Sequence, residues 1–289
     1  MTPPPDRVVT VDWSAAATPK DGADSIWVCT RTRDRTTLVN PRTRREAEAL
    51  LAELCRSPGR TLIAVDVALA YPAGSARAAG LCTETGIAAW NAICEHLERQ
   101  LTDDERNRNN RWAVAAELNR RIGSPQFWGA PPAHSGEWLP ARRPADPVLP
   151  WFRHCETALR ELGMRPASPW QLLGVGSVGS QALTFIPVAQ RLRREMPSRV
   201  VVWPIETGAT HDPWRGARSR TVIAETWTTL APTAEVEAVD HPVRDARQVV
   251  ALADFLTRKI EAGARLFDPP GALRHADLLH EEGWVLGVM

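Results

Sequence analysis

Residues 7–12 read RVVTVD, a run rich in β-branched side chains that ends on the carboxylate of Asp12. Valine and threonine favour extended backbone, so the run predicts a β-strand. Residues 13–24 supply the small and turn-forming residues that let a chain reverse, and SIWVCT, residues 25–30, predicts the returning strand. The chain is therefore expected to open with a β-hairpin that has a long tip.

The pattern that follows the hairpin extends this sheet. A third short strand is predicted at 37–39, and residues 43–56 repeat apolar side chains at helical spacing. TLIAV, residues 61–65, is an almost wholly apolar run typical of a strand buried on both faces, and it also ends on a carboxylate, Asp66. This order of elements predicts an α/β fold with a mixed sheet flanked by helices.

The remainder of the chain predicts helices and two later strands. Helices are predicted within 87–122, interrupted by the polar stretch 103–111, and at 152–162, 181–195 and 243–262; strands are predicted at 199–203 and 221–224; the Pro-, Gly- and Trp-rich stretch 124–150 is predicted to be an ordered loop. No internal repeat and no interdomain linker interrupts this pattern. We therefore expect residues 1–289 to form a single domain, with a helical and Pro-rich insertion at about 85–195.

Composition restricts the class of protein. Of 289 residues, 44% are hydrophobic and 24% are charged, which is typical of globular proteins and argues against disordered and fibrous classes. The formal net charge is +1, so the chain as a whole does not attract nucleic acid electrostatically. Binding of nucleic acid would need a local basic patch.

The cysteines and the first residues bear on the compartment. The five cysteines are odd in number and show no metal-ligand spacing, which indicates reduced thiols. The opening MTPPPDR lacks an apolar signal core, and no run of eighteen apolar residues occurs. These features predict a cytoplasmic protein without a membrane partner.

Carboxylates stand at or just past the ends of four predicted strands, and a fifth opens the late helix. They are Asp12, Asp66, Glu206, Glu225 and Asp245. Neighbouring strands lie about 5 Å apart, so carboxylates at strand ends meet at one edge of a sheet. Repulsion raises their pKa values unless a cation intervenes, and oxygen ligands suit Mg²⁺ or Mn²⁺. The alternative is that each acid caps a helix or pairs with one of the 35 basic residues.

Several segments together resemble domain-of-unknown-function family 429, which is assigned to the ribonuclease-H-like superfamily. These segments are VDWSAAATPKDGADSIW, VDVALAYPAG, PIETG, AETW and HPVRDARQ. The resemblance spans roughly residues 7–287 and implies a ribonuclease-H-like mixed sheet. The family has no established activity, so the resemblance implies a fold and a candidate site.

By that resemblance, three acids correspond to metal ligands. Asp12, Asp66 and Asp245 match the first-strand, fourth-strand and last-helix acids that bind divalent metal in nucleases of the superfamily. Ribonuclease H proper carries a further acid on its first helix. This sequence departs from that pattern, because Glu46 and Glu48 are only nearby candidates, and the departure puts a nuclease activity in doubt.

The glycine-rich stretch GVGSVG, residues 174–179, matches the GxGxxG fingerprint of dinucleotide-binding sites. The context that this fingerprint needs is incomplete, because no good strand precedes it and no acid lies about twenty residues on. It is better interpreted as a close-packed helix start whose N–H groups bind an anion, with Ser180 and Gln181 as further contacts.

Two further polar segments are candidate phosphate contacts. Residues 14–20 correspond to the phosphate loop of actin-like ATPases, which makes Ser14 and Lys20 candidate ligands, although the second hairpin of those enzymes is missing. Arg111 lies in the cluster NRNNRW, residues 107–112, and suits pairing with phosphate or carboxylate. The alternative for this cluster is a solvated helix end.

The leading hypothesis is a metal-dependent phosphohydrolase or nuclease-like enzyme that acts on phosphate esters. The predicted metal ligands are Asp12, Asp66 and Asp245, with Glu206 or Glu225 as a further ligand or general base. The alternative is a non-catalytic ribonuclease-H-like module that binds a small anionic ligand or a protein partner through residues 174–181 and the Trp-rich loop at 124–150. A biosynthetic enzyme that acts on a small phosphorylated metabolite has the same sequence features.

Overall fold

The computed structural model of the chain describes residues 4–161, 163–174, 177–269 and 276–288. Its strands are β1 (Arg7–Asp12), β2 (Trp27–Thr32), β3 (Thr36–Val39), β4 (Arg60–Val65), β5 (Val200–Trp203) and β6 (Arg220–Glu225). These strands form one sheet in the order β3-β2-β1-β4-β6-β5. The β1–β2 and β2–β3 pairs are antiparallel, and the other three pairs are parallel. The prediction of an α/β fold with a mixed sheet is thus confirmed.

The two late strands differ in their distance from the centre of the sheet. Strand β6 lies between β4 and β5. Strand β5, which comes earlier in the sequence, therefore forms the outer edge of the sheet. Every residue of β6 after Arg220 is buried, whereas Val201 in β5 is partly exposed. Central strands of parallel sheets are covered on both faces, which agrees with the burial of β6, although β5 (VVVW) is the more apolar of the two sequences.

The helices cover both faces of the sheet. They are α1 (Arg44–Arg56), α2 (Ser75–Ala78), α3 (Gly86–Gln100), α4 (Arg111–Ile122), α5 (His154–Glu161), α6 (Gly179–Glu195), α7 (Thr233–Ala238), α8 (Arg244–Glu261) and α9 (Ala276–Glu282). The sequence pattern missed α2, α7 and α9, because helices of two turns or less show too little of the 3.6-residue period. None of the helices in the described ranges combines the length and apolarity needed to cross a bilayer.

The first helix begins with one half of a capping box. Thr43 and Glu46 have the spacing of that motif, and the Thr43 hydroxyl accepts a hydrogen bond from the Glu46 N–H at 3.2 Å. The Glu46 carboxylate accepts instead from the N–H of Arg42, one residue before the expected donor, at 2.8 Å. The first bond satisfies one of the N–H groups that a helix start leaves without partners, and the second satisfies the N–H of the residue before the cap.

Side chains alternate between two apolar layers along β1. Val9 and Val11 pack with α1, α3, α4 and α6 on one face, and Val8 packs with α5, α8 and α9 on the other. The Thr10 hydroxyl, on the face of Val8, donates to the backbone carbonyl of Val249 in α8 at 2.7 Å. The predicted insertion at 85–195 contributes helices to both layers and none of the six strands. The carboxyl ends of β1, β4 and β6 lie beside α5 and α6.

Candidate active site

Asp12 and Asp66 occupy neighbouring positions where two parallel strands end. Val11 is opposite Val65 in the β1–β4 register, and each aspartate is the next residue along its strand. The N–H of Asp66 donates to the carbonyl of Val11 at 2.9 Å, which continues the ladder to this point. The structure thus brings these two predicted acids to the same edge of the sheet.

A cavity of about 500 Å³ lies at this edge. Its polar lining includes Asp12, Asp66, Glu156, Glu225, Arg165 and Gln181. Residues 164–167 and the start of α6 form part of its wall, so segments between β4 and β5 contribute to the site together with the strand ends. Sequence reasoning identified Asp12, Asp66, Glu225 and Gln181 and missed the other two.

Asp12 is a carboxylate with no hydrogen-bond donor among the described residues. Desolvation raises the pKa of Asp12 well above its usual value, and the negative charges of Asp66, Asp245 and Asp24 raise it further. Such a carboxylate gains stability from a proton or from a cation. Asp12 is therefore the member of the cavity whose charge is least compensated.

Asp66 is held by Thr228, which follows β6. One carboxylate oxygen of Asp66, Oδ2, accepts hydrogen bonds from the Thr228 hydroxyl at 2.7 Å and from the Thr228 N–H at 3.2 Å. Burial raises the pKa of Asp66, and these two bonds partly oppose the shift. Thr228 fixes the orientation of the carboxylate and leaves Oδ1 without a donor from the described residues.

Asp245 lies beside the cavity and does not line it. Its Oδ2 accepts from the N–H of Asp24 at 2.6 Å, which joins the first turn of α8 to the hairpin tip. Ser14 and Lys20, predicted to contact phosphate, both bond to Asp24 instead: the Ser14 hydroxyl donates to its carbonyl at 3.1 Å, and Lys20 pairs with its carboxylate at 3.2 Å. Local contacts in the tip therefore occupy both side chains.

Glu225 is held in an ion pair on the cavity floor. Both of its carboxylate oxygens accept from Arg153, at 2.6 and 2.7 Å, and Oε2 also accepts from the N–H of Leu69 at 3.1 Å. Burial raises the pKa of Glu225, and the charge of Arg153 opposes that shift. Because both oxygens of Glu225 already accept hydrogen bonds, this carboxylate is poorly placed to accept a proton from water. We therefore expect Glu225 to shape the floor rather than to act as the predicted general base.

Glu206 does not reach the other predicted metal ligands. It follows β5, which β6 and β4 separate from β1, and it does not line the cavity. Its two oxygens pair with Arg193 at 2.6 and 2.8 Å, and it accepts from the N–H of Val202 at 2.8 Å. The structure therefore does not bring Glu206 together with Asp12 and Asp66, because the order of the late strands places the end of β5 at the outer edge of the sheet.

Arg111 and Ser180 contact each other away from the cavity. Arg111 Nε donates to the Ser180 hydroxyl at 3.2 Å, and that hydroxyl donates to the carbonyl of Leu172 at 2.7 Å. Burial and the nearby charge of Arg44 lower the pKa of Arg111 to about 10. Neither predicted substrate contact lines the cavity, so both are interpreted as buried supports of the α4–α6 contact.

The glycine-rich stretch is a close-packed helix start. Within GVGSVG, residues 175 and 176 lie outside the described residues. The N–H of Gly179 donates to the carbonyl of Gln171 at 2.9 Å, so this donor is not available to an anion. A Cβ at Gly179 would lie 2.6 Å from the Gln171 oxygen and 2.7 Å from the Pro169 oxygen. Glycine is needed here for close packing.

The close packing at Gly179 predicts how a substitution there changes the stability of the protein. Gly179→Ala is expected to lower the free energy of unfolding by about 1–3 kcal/mol, because the added methyl group forces two backbone segments apart. Urea denaturation followed by circular dichroism would measure it. Gly136→Ala is the control, since a Cβ there meets nothing within 4 Å. Equal stability of the two variants would contradict this account of Gly179.

Behind the cavity floor, a fully buried arginine connects three parts of the chain. Arg153 pairs with Glu156 and Glu225, and its Nη1 donates to the carbonyl of Glu282 at 3.1 Å. These contacts tie the start of α5 to the end of β6 and to α9. The spacing of Arg153 and Glu156 suits an ion pair on one face of a helix, but nothing local in the sequence indicates that this pair is buried.

The C-terminal helix supplies two buried carboxylates to the loop after β4. Glu282 accepts from the N–H of Ala73 at 2.6 Å, and Glu281 accepts from the N–H groups of Gly74 at 2.6 Å and Gly86 at 3.1 Å. Buried N–H groups need partners, and here those partners come from more than 190 residues further along the chain. The loop that follows Asp66 is thus ordered by α9.

The carboxylates of the cavity determine whether it could hold a divalent cation. Among the described residues, no group of three or more His, Cys, Asp or Glu side chains is arranged to hold a metal ion. Mg²⁺ is commonly held by one or two carboxylates, with water and substrate phosphate completing its coordination. Asp12 and Asp66 suit such a site, because both are carboxylates with oxygens that accept no hydrogen bond from the described residues.

The net charge of the cavity is also suited to a divalent cation. Four carboxylates line it, and two guanidinium groups accompany them: Arg165 in the lining, and Arg153, which pairs with Glu156 and Glu225. When all six groups are ionised the net charge is −2, which one divalent cation neutralises. Mg²⁺ and Mn²⁺, which prefer oxygen ligands, suit this site.

Comparisons with protein-family models, curated proteins and solved structures returned no match for this chain. The resemblance to domain-of-unknown-function family 429 therefore stays a prediction based on the segments quoted above.

Proposed function

We propose that this protein is a divalent-metal-dependent phosphohydrolase whose site is the cavity at the ends of β1 and β4. The observation that carries the proposal is Asp12, a desolvated carboxylate beside Asp66 to which no described residue donates a hydrogen bond. Glu156 and Glu225 in the same cavity have Arg153 as their cation. A bound divalent ion would compensate Asp12 in the same way.

In this proposal Asp12 and Asp66 hold Mg²⁺ or Mn²⁺, and Thr228 orients Asp66. When bound, the ion supplies charge stabilisation to a phosphate oxygen and lowers the pKa of a coordinated water. Gln181 lines the same cavity and offers an amide to substrate oxygens. Asp245, next to Asp12, adds negative charge that favours the cation without lining the cavity.

Calorimetric titration of Mg²⁺ and Mn²⁺ tests the proposal. We expect wild type to bind the ion and Asp66→Asn to bind it at least about tenfold more weakly, because one of two charged ligands is neutralised. Glu206→Gln is the matched control, a strand-end acid outside the cavity, and its affinity should equal that of wild type. Absence of binding by wild type, or an equal loss in the control, would refute the proposal.

A second candidate function is a non-catalytic module that binds a small anionic ligand or a protein partner. The observation in its favour is that two of the five predicted acids, Glu206 and Glu225, are paired with arginine. Arginine pairing satisfies these carboxylates without a metal ion. The same titration separates the candidates, since a module of this kind does not need Mg²⁺ or Mn²⁺.

A further inference from the structure

The cavity contains a cation that has no partner among the described carboxylates. Arg165 lines the cavity, is exposed to solvent, and forms no ion pair with a described residue. Its planar guanidinium offers two parallel N–H groups to a phosphate or carboxylate oxygen pair. Asp12 and Asp66 line the same cavity, so a phosphate bound to Arg165 would lie near the proposed metal ligands.

Much of the remaining lining is apolar. It includes Met164, whose side chain is 41% exposed, together with Pro166, Val178 and Trp227. Exposed methionine and partly buried tryptophan offer a surface to a flat or apolar group. The cavity therefore combines a place for phosphate with a place for the organic group that carries it.

The size and charge of the cavity select between substrate classes. A volume of about 500 Å³ is within the range of sites for small molecules. Proteins that hold single-stranded nucleic acid follow the backbone with a positively charged groove. Among the described lining residues, Arg165 is the one cation, so the lining offers a guanidinium to a single phosphate and lacks the row of positive charges that a chain of phosphates needs.

We infer that the ligand of this cavity is a small phosphate monoester with an apolar or aromatic group, bound through Arg165, rather than a nucleic-acid strand. This inference rests on the proposed function. In the reaction, the water oxygen bonds to phosphorus and the ester P–O bond breaks, with its electron pair leaving on the ester oxygen. A proton from water ends on that oxygen, which gives an alcohol or phenol and inorganic phosphate.

Calorimetry with phenyl phosphate as the probe, in the presence of Mg²⁺, tests the inference on the full-length protein. We expect wild type to bind phenyl phosphate and Arg165→Ala to bind it at least tenfold more weakly, with the Mg²⁺ affinity of the variant unchanged. Arg165→Lys should fall between the two, because lysine keeps the charge and loses the paired donors. Arg160→Ala is the control, since Arg160 contacts Phe152 and does not line the cavity.

A twelve-nucleotide single-stranded DNA is the competing probe. Tighter binding of the DNA than of phenyl phosphate, or equal affinity of Arg165→Ala and wild type for phenyl phosphate, overturns the inference. Failure of phenyl phosphate to bind also overturns it, even where Mg²⁺ binds and the proposed function stands. Arg165-dependent binding of phenyl phosphate without binding of Mg²⁺ supports the ligand class and refutes the metal-dependent hydrolase.

Discussion

Replacing Arg153 with methionine is expected to lower the free energy of unfolding by about 3–5 kcal/mol, because it leaves buried carboxylates without their cation. Arg153 has no exposed surface, and Glu156 and Glu225 are each about 3% exposed. Desolvated charges of this kind cannot recover their lost hydration from water. The pairing energy is therefore expected to matter far more here than at the surface of the protein.

Chemical denaturation of wild type and three variants checks this prediction. Arg258→Met is the control, because its ion pair with Glu235 is exposed and should change stability by about 0–1 kcal/mol. Arg153→Met combined with Glu156→Gln and Glu225→Gln should recover roughly half of the loss, since it removes the unpaired charges. A loss in Arg153→Met no larger than in the control would contradict the assigned role of Arg153.

Asp12→Asn is expected to lower kcat/KM for a phosphate monoester at least about a hundredfold, or about 2.7 kcal/mol, by removing a charged metal ligand. The same substitution should stabilise the metal-free protein, because it removes a carboxylate that is desolvated and repelled by Asp66, Asp245 and Asp24. Loss of activity and gain of stability from one change is a combination that a merely structural aspartate would not produce.

The pH dependence of that stability gain has a definite sign. The pKa of Asp12 is raised in the folded protein, so the folded state binds this proton more tightly than the unfolded state does. The stabilisation that this bound proton supplies is present in full below the usual aspartate pKa of 3.8, and it is lost as pH rises through the raised pKa. The difference in free energy of unfolding between Asp12→Asn and wild type should therefore grow as pH rises from 3.8 to the raised pKa, and then stay constant.

Urea denaturation in the presence of a chelator, at a series of pH values from 4 upward, would measure this difference. Asp254→Asn is a suitable control, because Asp254 pairs with Arg31 at 3.2 Å on the surface, away from the cavity. A stability difference between Asp12→Asn and wild type that does not change with pH would contradict the electrostatic account.

The sequence predicted those parts of the site that depend on neighbouring strands. Asp12 and Asp66 end two apolar runs, and parallel pairing of β1 with β4 places them side by side. Glu206 also ends an apolar run, yet its strand is at the outer edge. The local pattern identifies a strand end, whereas the order of β5 and β6 depends on packing between residues far apart in sequence.

The contributions of residues 85–195 to the site were harder to predict. Arg153, Glu156 and Arg165 reach the cavity or its floor because α5 and the segment after it pack beside the strand ends. No periodicity or motif in residues 85–195 indicates which of these side chains approach the sheet. Their roles follow from tertiary contacts alone, and single-sequence reasoning detects such contacts poorly.

The bonds that Glu281 and Glu282 make to the loop at residues 73–86 also limit when the site can form during synthesis. A ribosome releases the chain from its N-terminus, so the strands that carry Asp12 and Asp66 emerge long before α9. Until residue 282 has left the exit tunnel, the N–H groups of that loop lack their carboxylate acceptors. A nascent chain would therefore have released all six strands before the loop that follows Asp66 gains its acceptors from α9, through contacts of long sequence separation that form slowly.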